Sequence, residues 1–157
     1  MALDQNDGEV LVNSRQDIKA LLSGLWVVLM ILYLYCDFLS LYKSDAISMM
    51  MEGHMGPIQA NQITLLFASL LMIAPACMVF LSLCLKAKVN RWLNIVAGSA
   101  YTLVGIGNVI GESWIYYIIF VTLEMAVTVS IVALSIKWPR RQDGYKRSGL
   151  PETEGIN

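Results

Sequence analysis

Four long apolar runs, 20–42, 63–85, 92–110 and 114–136, decide most of what this 157-residue chain can become. Each has the length a helix needs to cross roughly 30 Å of hydrocarbon at about 1.5 Å per residue. Together they fill most of the sequence and leave no room for a soluble domain. With 57% hydrophobic and 15% charged residues, the chain is too apolar for an ordinary soluble domain of its size. The expected fold is therefore all-α: a polytopic membrane protein built as an antiparallel bundle of four transmembrane helices. Residues 1–17 and 139–157 are polar and read as disordered cytoplasmic tails around a transmembrane domain over 18–138. No basic residue precedes the first run until Arg15, and the run exceeds a signal-peptide core, so it is expected to stay as a span.

The positions of the charges carry more than the net charge of -1. Of the 11 Lys and Arg, only Lys43 falls between the first and second runs; the rest lie on the other side of a four-span layout. The positive-inside rule then predicts that both termini and the 86–91 turn are cytoplasmic, whereas 43–62 and 111–113 face outward. Trp92, Trp114 and Trp138 stand at run ends, as interfacial aromatics do.

Along the third run and the turn after it, steps of four and three residues connect Asn94, Gly98, Tyr101, Gly105, Asn108 and Glu112. Such a helix carries one small and polar face on an otherwise apolar rod. In lipid, helices associate through close approach at glycine and through hydrogen bonds shielded from hydrocarbon, so Gly98 and Gly105 are expected to form a packing seam. In the second run Pro75 removes a donor and frees the carbonyl of Leu71, predicting a kink.

Two acids lie inside the runs. Asp37 continues a polar face with Tyr33, Ser40 and Ser44, roughly 7–9 Å below the outer boundary. Glu124 lies roughly 15 Å below Trp114, close to the bilayer midplane, on a face with Tyr117, Val121, Thr128, Ile131 and Ser135. No Lys, Arg or His occupies the apolar parts of any run, so neither acid has an intramembrane cation. An unpaired carboxyl in hydrocarbon avoids the ionisation cost by keeping its proton, and it must face the bundle. Tyr101, Asn108, Tyr33 and Tyr117 are the expected hydrogen-bond partners. Asp37, Asn108, Glu112 and Glu124 are expected to converge on an outward-opening polar pocket.

The stretch 43–62 is the longest connection. Met49, Met50, Met51 and Met55 surround Glu52 and the only histidine, His54. Thioethers beside an imidazole suit Cu(I), making His54, Met51 and Met55 candidate metal ligands. The competing reading is an amphipathic segment at the interface with methionine as adaptable filler, broken by Gly53, Gly56 and Pro57. Cys36, Cys77 and Cys84 form no CxxC and read as small buried apolar side chains.

Four patterns carry a resemblance: YxxxDxLS in the first run, Pro75 followed by MVxLSxxL in the second, NRWxNIxAG entering the third and YYxxFxxxE in the fourth. Over roughly 18–138 the chain resembles a family of small, mainly bacterial four-helix integral membrane proteins catalogued as a domain of unknown function. The resemblance implies a four-span bundle in the bacterial inner membrane and no established activity or catalytic residue. More remotely the layout is similar to DoxX-like membrane proteins, an architectural analogy only.

Three functions are compatible with these residues. The first is a non-enzymatic module that binds a small lipophilic or cationic ligand, or protons, at the carboxyl pocket. Another is a structural or accessory subunit docking on a membrane protein partner or on copies of itself. The third is a quinone- or metal-linked enzyme, which the lack of HExxH and of paired cysteines disfavours. No cofactor is identified, and the partners expected are the lipid bilayer and such ligands or proteins, with no nucleic acid.

Overall fold

Hydrocarbon leaves a backbone no partner but itself, so the apolar runs become helices. The computed structural model describes residues 3–56 and 58–138. In order come α1 (Leu3–Ser40), α2 (Ala46–Met51), β1 (His54–Met55), β2 (Ile58–Gln59), α3 (Gln62–Cys84), α4 (Ala87–Val109) and α5 (Ile115–Lys137). Among the described residues three helices are long and apolar enough to cross a membrane: Gln16–Ser40, Gln62–Cys84 and Ile115–Lys137. The sequence led us to expect four. The remaining helix, α4, matches α3 and α5 at 23 residues, but Asn90, Asn94, Ser99, Asn108 and its glycines dilute its apolarity. A second difference lies at the N-terminus, where α1 begins at Leu3, inside the segment expected to be a disordered tail. No proline interrupts that stretch, and adding residues to an established helix avoids the cost of a new nucleus. The tail expected over 139–157 lies outside the described residues.

Helix α1 packs against α3 and α5, α5 packs against α4, and α3 and α4 meet across the short turn that joins them. Lys19 and Ser23, midway along α1, reach Leu83 and Val79 near the end of α3, and Arg91 near the start of α4 reaches Ile136 at the end of α5, so sequential long helices run antiparallel. Each buries one stripe. On α1 it is Leu22, Trp26, Leu29, Tyr33 and Cys36; on α4, Asn90, Asn94, Gly98, Tyr101 and Gly105; on α5, Val121, Glu124, Thr128, Ile131 and Ser135. These steps of four and three track the helical period. Helix α3 buries only Pro75, Met78 and Ser82. Of the cysteines only Cys36 is buried, and Cys77 and Cys84 lie exposed on α3 rather than in a core.

The α4–α5 contact depends on glycine. A Cβ on Gly98 would stand 2.8 Å from Val132 Cγ2, and one on Gly105 2.8 Å from Met125 Cγ. Between them the Thr102 hydroxyl donates to Thr128 Oγ1 at 2.9 Å. Helix α3 continues through Pro75, and the carbonyl four residues earlier, on Leu71, accepts from the Tyr101 hydroxyl. That bond supplies the donor that proline lacks.

The two ends of the fold differ. At the end marked by Arg91, Lys19 donates to the carbonyls of Leu83 (3.2 Å) and Leu85 (2.7 Å), and Arg91 donates to that of Ile136 (3.0 Å). Basic side chains thus close the C-termini of α3 and α5, where the helix dipole favours positive charge. The opposite end, marked by Lys43, carries α2 and the two-stranded hairpin. Gly53 and Gly56 have φ of +78° and +58°, the left-handed region glycine enters freely, and they turn the chain after α2 and between the strands. Asn61 then caps α3, its side chain accepting from Thr64 N at 2.9 Å.

Candidate functional site

Near the Arg91 end, α1, α3 and α4 share a buried polar knot. Trp26 Nε1 donates to Asn94 Oδ1 at 2.7 Å, and the Ser82 hydroxyl reaches the same oxygen at 3.4 Å. Asn94 Nδ2 donates to Asn90 O at 2.9 Å and to Asn90 Oδ1 at 2.6 Å, while Asn90 Nδ2 donates to Ser82 O. All four side chains are fully buried and all find partners. A network satisfied in this way fixes three helices in register. The sequence showed Asn94 on the α4 stripe; Trp26, Ser82 and Asn90 became visible as its partners only in three dimensions.

Among the described residues four buried polar atoms are not satisfied: Ser135 Oγ and Trp138 Nε1 near the Arg91 end, and two others toward the Lys43 end. Glu124 is 2% exposed and Tyr33 7% exposed, yet Glu124 Oε1 and the Tyr33 hydroxyl find no hydrogen-bond partner. Tyr33, Cys36, Asp37 and Tyr117 all lie within electrostatic reach of Glu124. Of the four residues expected to converge, Asp37, Asn108 and Glu112 stand apart from Glu124, while Tyr33 and Tyr117 lie near it. Asp37 is exposed at the edge of the α1 stripe instead of facing inward. The buried steps run from Tyr33 to Cys36, and Asp37 stands one residue, about 100°, beyond that position. Asn108 is exposed, one residue before α4 ends at Val109, and does not join Glu124. Tyr101 is buried but gives its hydroxyl to Leu71 O, and its ring packs edge-on against Trp26 at 5.7 Å and tilted against Tyr33 at 6.2 Å.

Glu112 belongs to a different group, above this cluster at the Lys43 end. Its Oε2 pairs with Lys43 Nζ at 2.9 Å, and Oε1 accepts from the backbone N–H groups of Ser113 (3.0 Å) and Trp114 (3.1 Å). Partial desolvation pushes the Glu112 carboxyl up, but the bonds from Lys43 and the two backbone donors outweigh it and hold the group below its ordinary 4.5. The Lys43 ammonium also faces three rings, at 4.9 Å from Tyr117, 5.7 Å from Trp114 and 5.8 Å from Tyr116. These are cation–π distances. The sequence set Lys43 apart as the one basic residue between the first two runs, but gave no sign of the carboxylate and rings around it.

The candidate metal ligands are spread apart. Met51 closes α2, whereas His54 and Met55 are neighbours on β1, paired with Gln59 and Ile58. Successive strand residues point to opposite faces, so His54 and Met55 diverge. All three are exposed. Among the described residues no group of three or more His, Cys, Asp or Glu is arranged to hold a metal ion.

An all-helical chain with three helices long and apolar enough to cross a membrane, one of them carrying a buried carboxyl, has the make-up of a membrane protein. The sequence model of a family described as "Family of unknown function (DUF6326)" matches residues 11–144, and the chain belongs to that family. Compared with curated proteins and with solved structures, the chain shows no match.

Proposed function

We propose that this protein is a non-enzymatic membrane module that binds protons, or a small cationic or lipophilic ligand, at Glu124. The carrying observation is the unpartnered Oε1 of a carboxyl that is 2% exposed and centred in a membrane-length helix. A buried acceptor without a donor costs on the order of 1–3 kcal/mol, which a purely structural residue has no reason to retain. Intramembrane acids that persist despite this cost are those that exchange a proton or a cation. The Lys43 ammonium, at the same end of the fold, is committed to Glu112.

An infrared titration of the protein in detergent tests this reading. The protonated-carboxyl band should weaken as pH rises, should be missing in Glu124→Gln, and should return in Asp37→Asn. Glutamine keeps shape and donor but cannot titrate. If Glu124→Gln folds and its spectrum titrates as the wild type does, Glu124 is an architectural residue and the reading fails.

The proposal includes α4 as a fourth span with both termini cytoplasmic. Supporting it, α4 exposes Val89, Trp92, Val96, Leu103 and Ile106 while burying its polar stripe, the arrangement lipid requires. Among the described residues Lys19, Lys86, Lys88, Arg91 and Lys137 lie at the Arg91 end and Lys43 at the other, the asymmetry the positive-inside rule reads as cytoplasmic. Cysteines placed at Glu52 or Ser113 should react with an impermeant label in intact cells, and one at Ser148 should not; the reverse pattern rejects the orientation. A second reading, an accessory subunit, draws on α3, which buries only three side chains and leaves most of its surface to whatever surrounds it.

A further inference from the structure

We propose that Trp114, Tyr116, Tyr117 and Glu112 form a recognition site for an organic ammonium group, which Lys43 occupies from within the chain. The inference deepens the reading of Glu124 by naming a ligand class, and it rests on that reading only for what the bound cation goes on to do.

The chemistry of the site is specific. A carboxylate 2.9 Å from the nitrogen and three aromatic rings with centroids at 4.9–5.8 Å surround one cation. Rings attract a cation through their negative faces, and several rings around one centre are the usual means of holding alkylated ammonium groups. A methylated ammonium sheds water more readily than a primary one, so the rings favour it over lysine, whereas the carboxylate serves both.

The walls do not depend on the lysine. Glu112 is positioned by Ser113 N and Trp114 N through its other oxygen. The Tyr116 hydroxyl is 3.1 Å from Ser40 Oγ, which itself donates to Cys36 O. The Trp114 and Tyr116 rings pack edge-on at 6.1 Å, and those of Tyr116 and Tyr117 at 6.3 Å. Lys43 by contrast hangs on four rotatable bonds in the turn after α1, so it can leave while the rings and carboxylate stay in place. A site prepared in this way loses little ordering entropy when a ligand replaces the side chain. The location also fits, because the Lys43 and Glu112 side chains keep 23% and 18% exposure. Tyr117 joins the two regions, being a wall of the cage and within electrostatic reach of Glu124.

Tetramethylammonium binding to the purified full chain, followed by Trp114-dependent fluorescence and by calorimetry, tests the proposal. Lys43→Ala should bind one equivalent at least tenfold more tightly than wild type, because the internal competitor is gone. Adding Trp114→Leu or Glu112→Gln to Lys43→Ala should weaken binding at least tenfold. Lys43→Gln, which keeps the stem for packing, serves if Lys43→Ala does not fold, and should show the same gain. Binding no tighter in either Lys43 variant than in wild type, or unaffected by loss of Trp114, overturns the cage. The Glu124 infrared titration stands apart: if it behaves as proposed while tetramethylammonium fails to bind, only the cage is refuted, and the converse removes only the Glu124 reading.

Discussion

Asn94 and Glu124 are both polar, both buried and both on helix stripes of identical period, yet they occupy opposite kinds of environment. Asn94 sits in a knot where Trp26, Ser82 and Asn90 answer its polar atoms. Glu124 sits among Tyr33, Cys36 and Tyr117 with an oxygen that nothing answers. In a medium without water the first arrangement holds helices together, and the second is tolerated only if something transient completes it. Burial and polarity alone therefore do not mark a site, and neither does an unmet bond by itself, since Ser135 Oγ and Trp138 Nε1 are also unmet; Glu124 is the unmet group that is ionisable and centred in its helix.

The sharpest way to break this contrast is to remove each polar group in turn. Asn94→Leu strands Trp26 Nε1 and an Asn90 amide and should lower stability by about 2–3 kcal/mol, measured by thermal or denaturant unfolding in detergent. Glu124→Leu removes an unmet acceptor and has no bond to lose, so it should leave stability unchanged or raise it by up to about 3 kcal/mol. Equal losses at the two positions would mean that Glu124 has a structural partner after all.

A smaller effect sharpens the comparison at the Lys43 end, where the charges are paired. The folded Glu112 carboxyl lies below its ordinary 4.5, so its contribution to stability is complete above that value and disappears as pH falls through the folded value. Wild type and Glu112→Gln should therefore differ in Tm at neutral pH and converge in acid. A difference that persists at low pH would assign the effect to packing, not charge.

The α4 and α5 stripes were readable because both follow from the helical period and from residue type. So was the carbonyl of Leu71, freed by Pro75 four residues on; its partner, Tyr101, was not. Asp37 was misplaced because polarity suggested a step of four from Tyr33, whereas the stripe had already alternated and called for the step of three to Cys36. The knot and the cage escaped for a common reason. Each joins residues from three or more helices or turns, and which turn of one helix faces which turn of another is decided by packing, as when Val132 settles over Gly98, and not by any local pattern.

Lys19 and Arg91 carry a consequence for anyone who would invert this protein. In the orientation proposed above both belong to the basic set on the cytoplasmic side, and both also close helix C-termini, Lys19 on α3 and Arg91 on α5. Moving these charges to the opposite flank would redirect insertion and unseal two helices in the same stroke. On the proposed orientation, the address that tells the chain which way to enter the bilayer and the fastening that completes its fold are written in the same side chains, so neither could be edited alone.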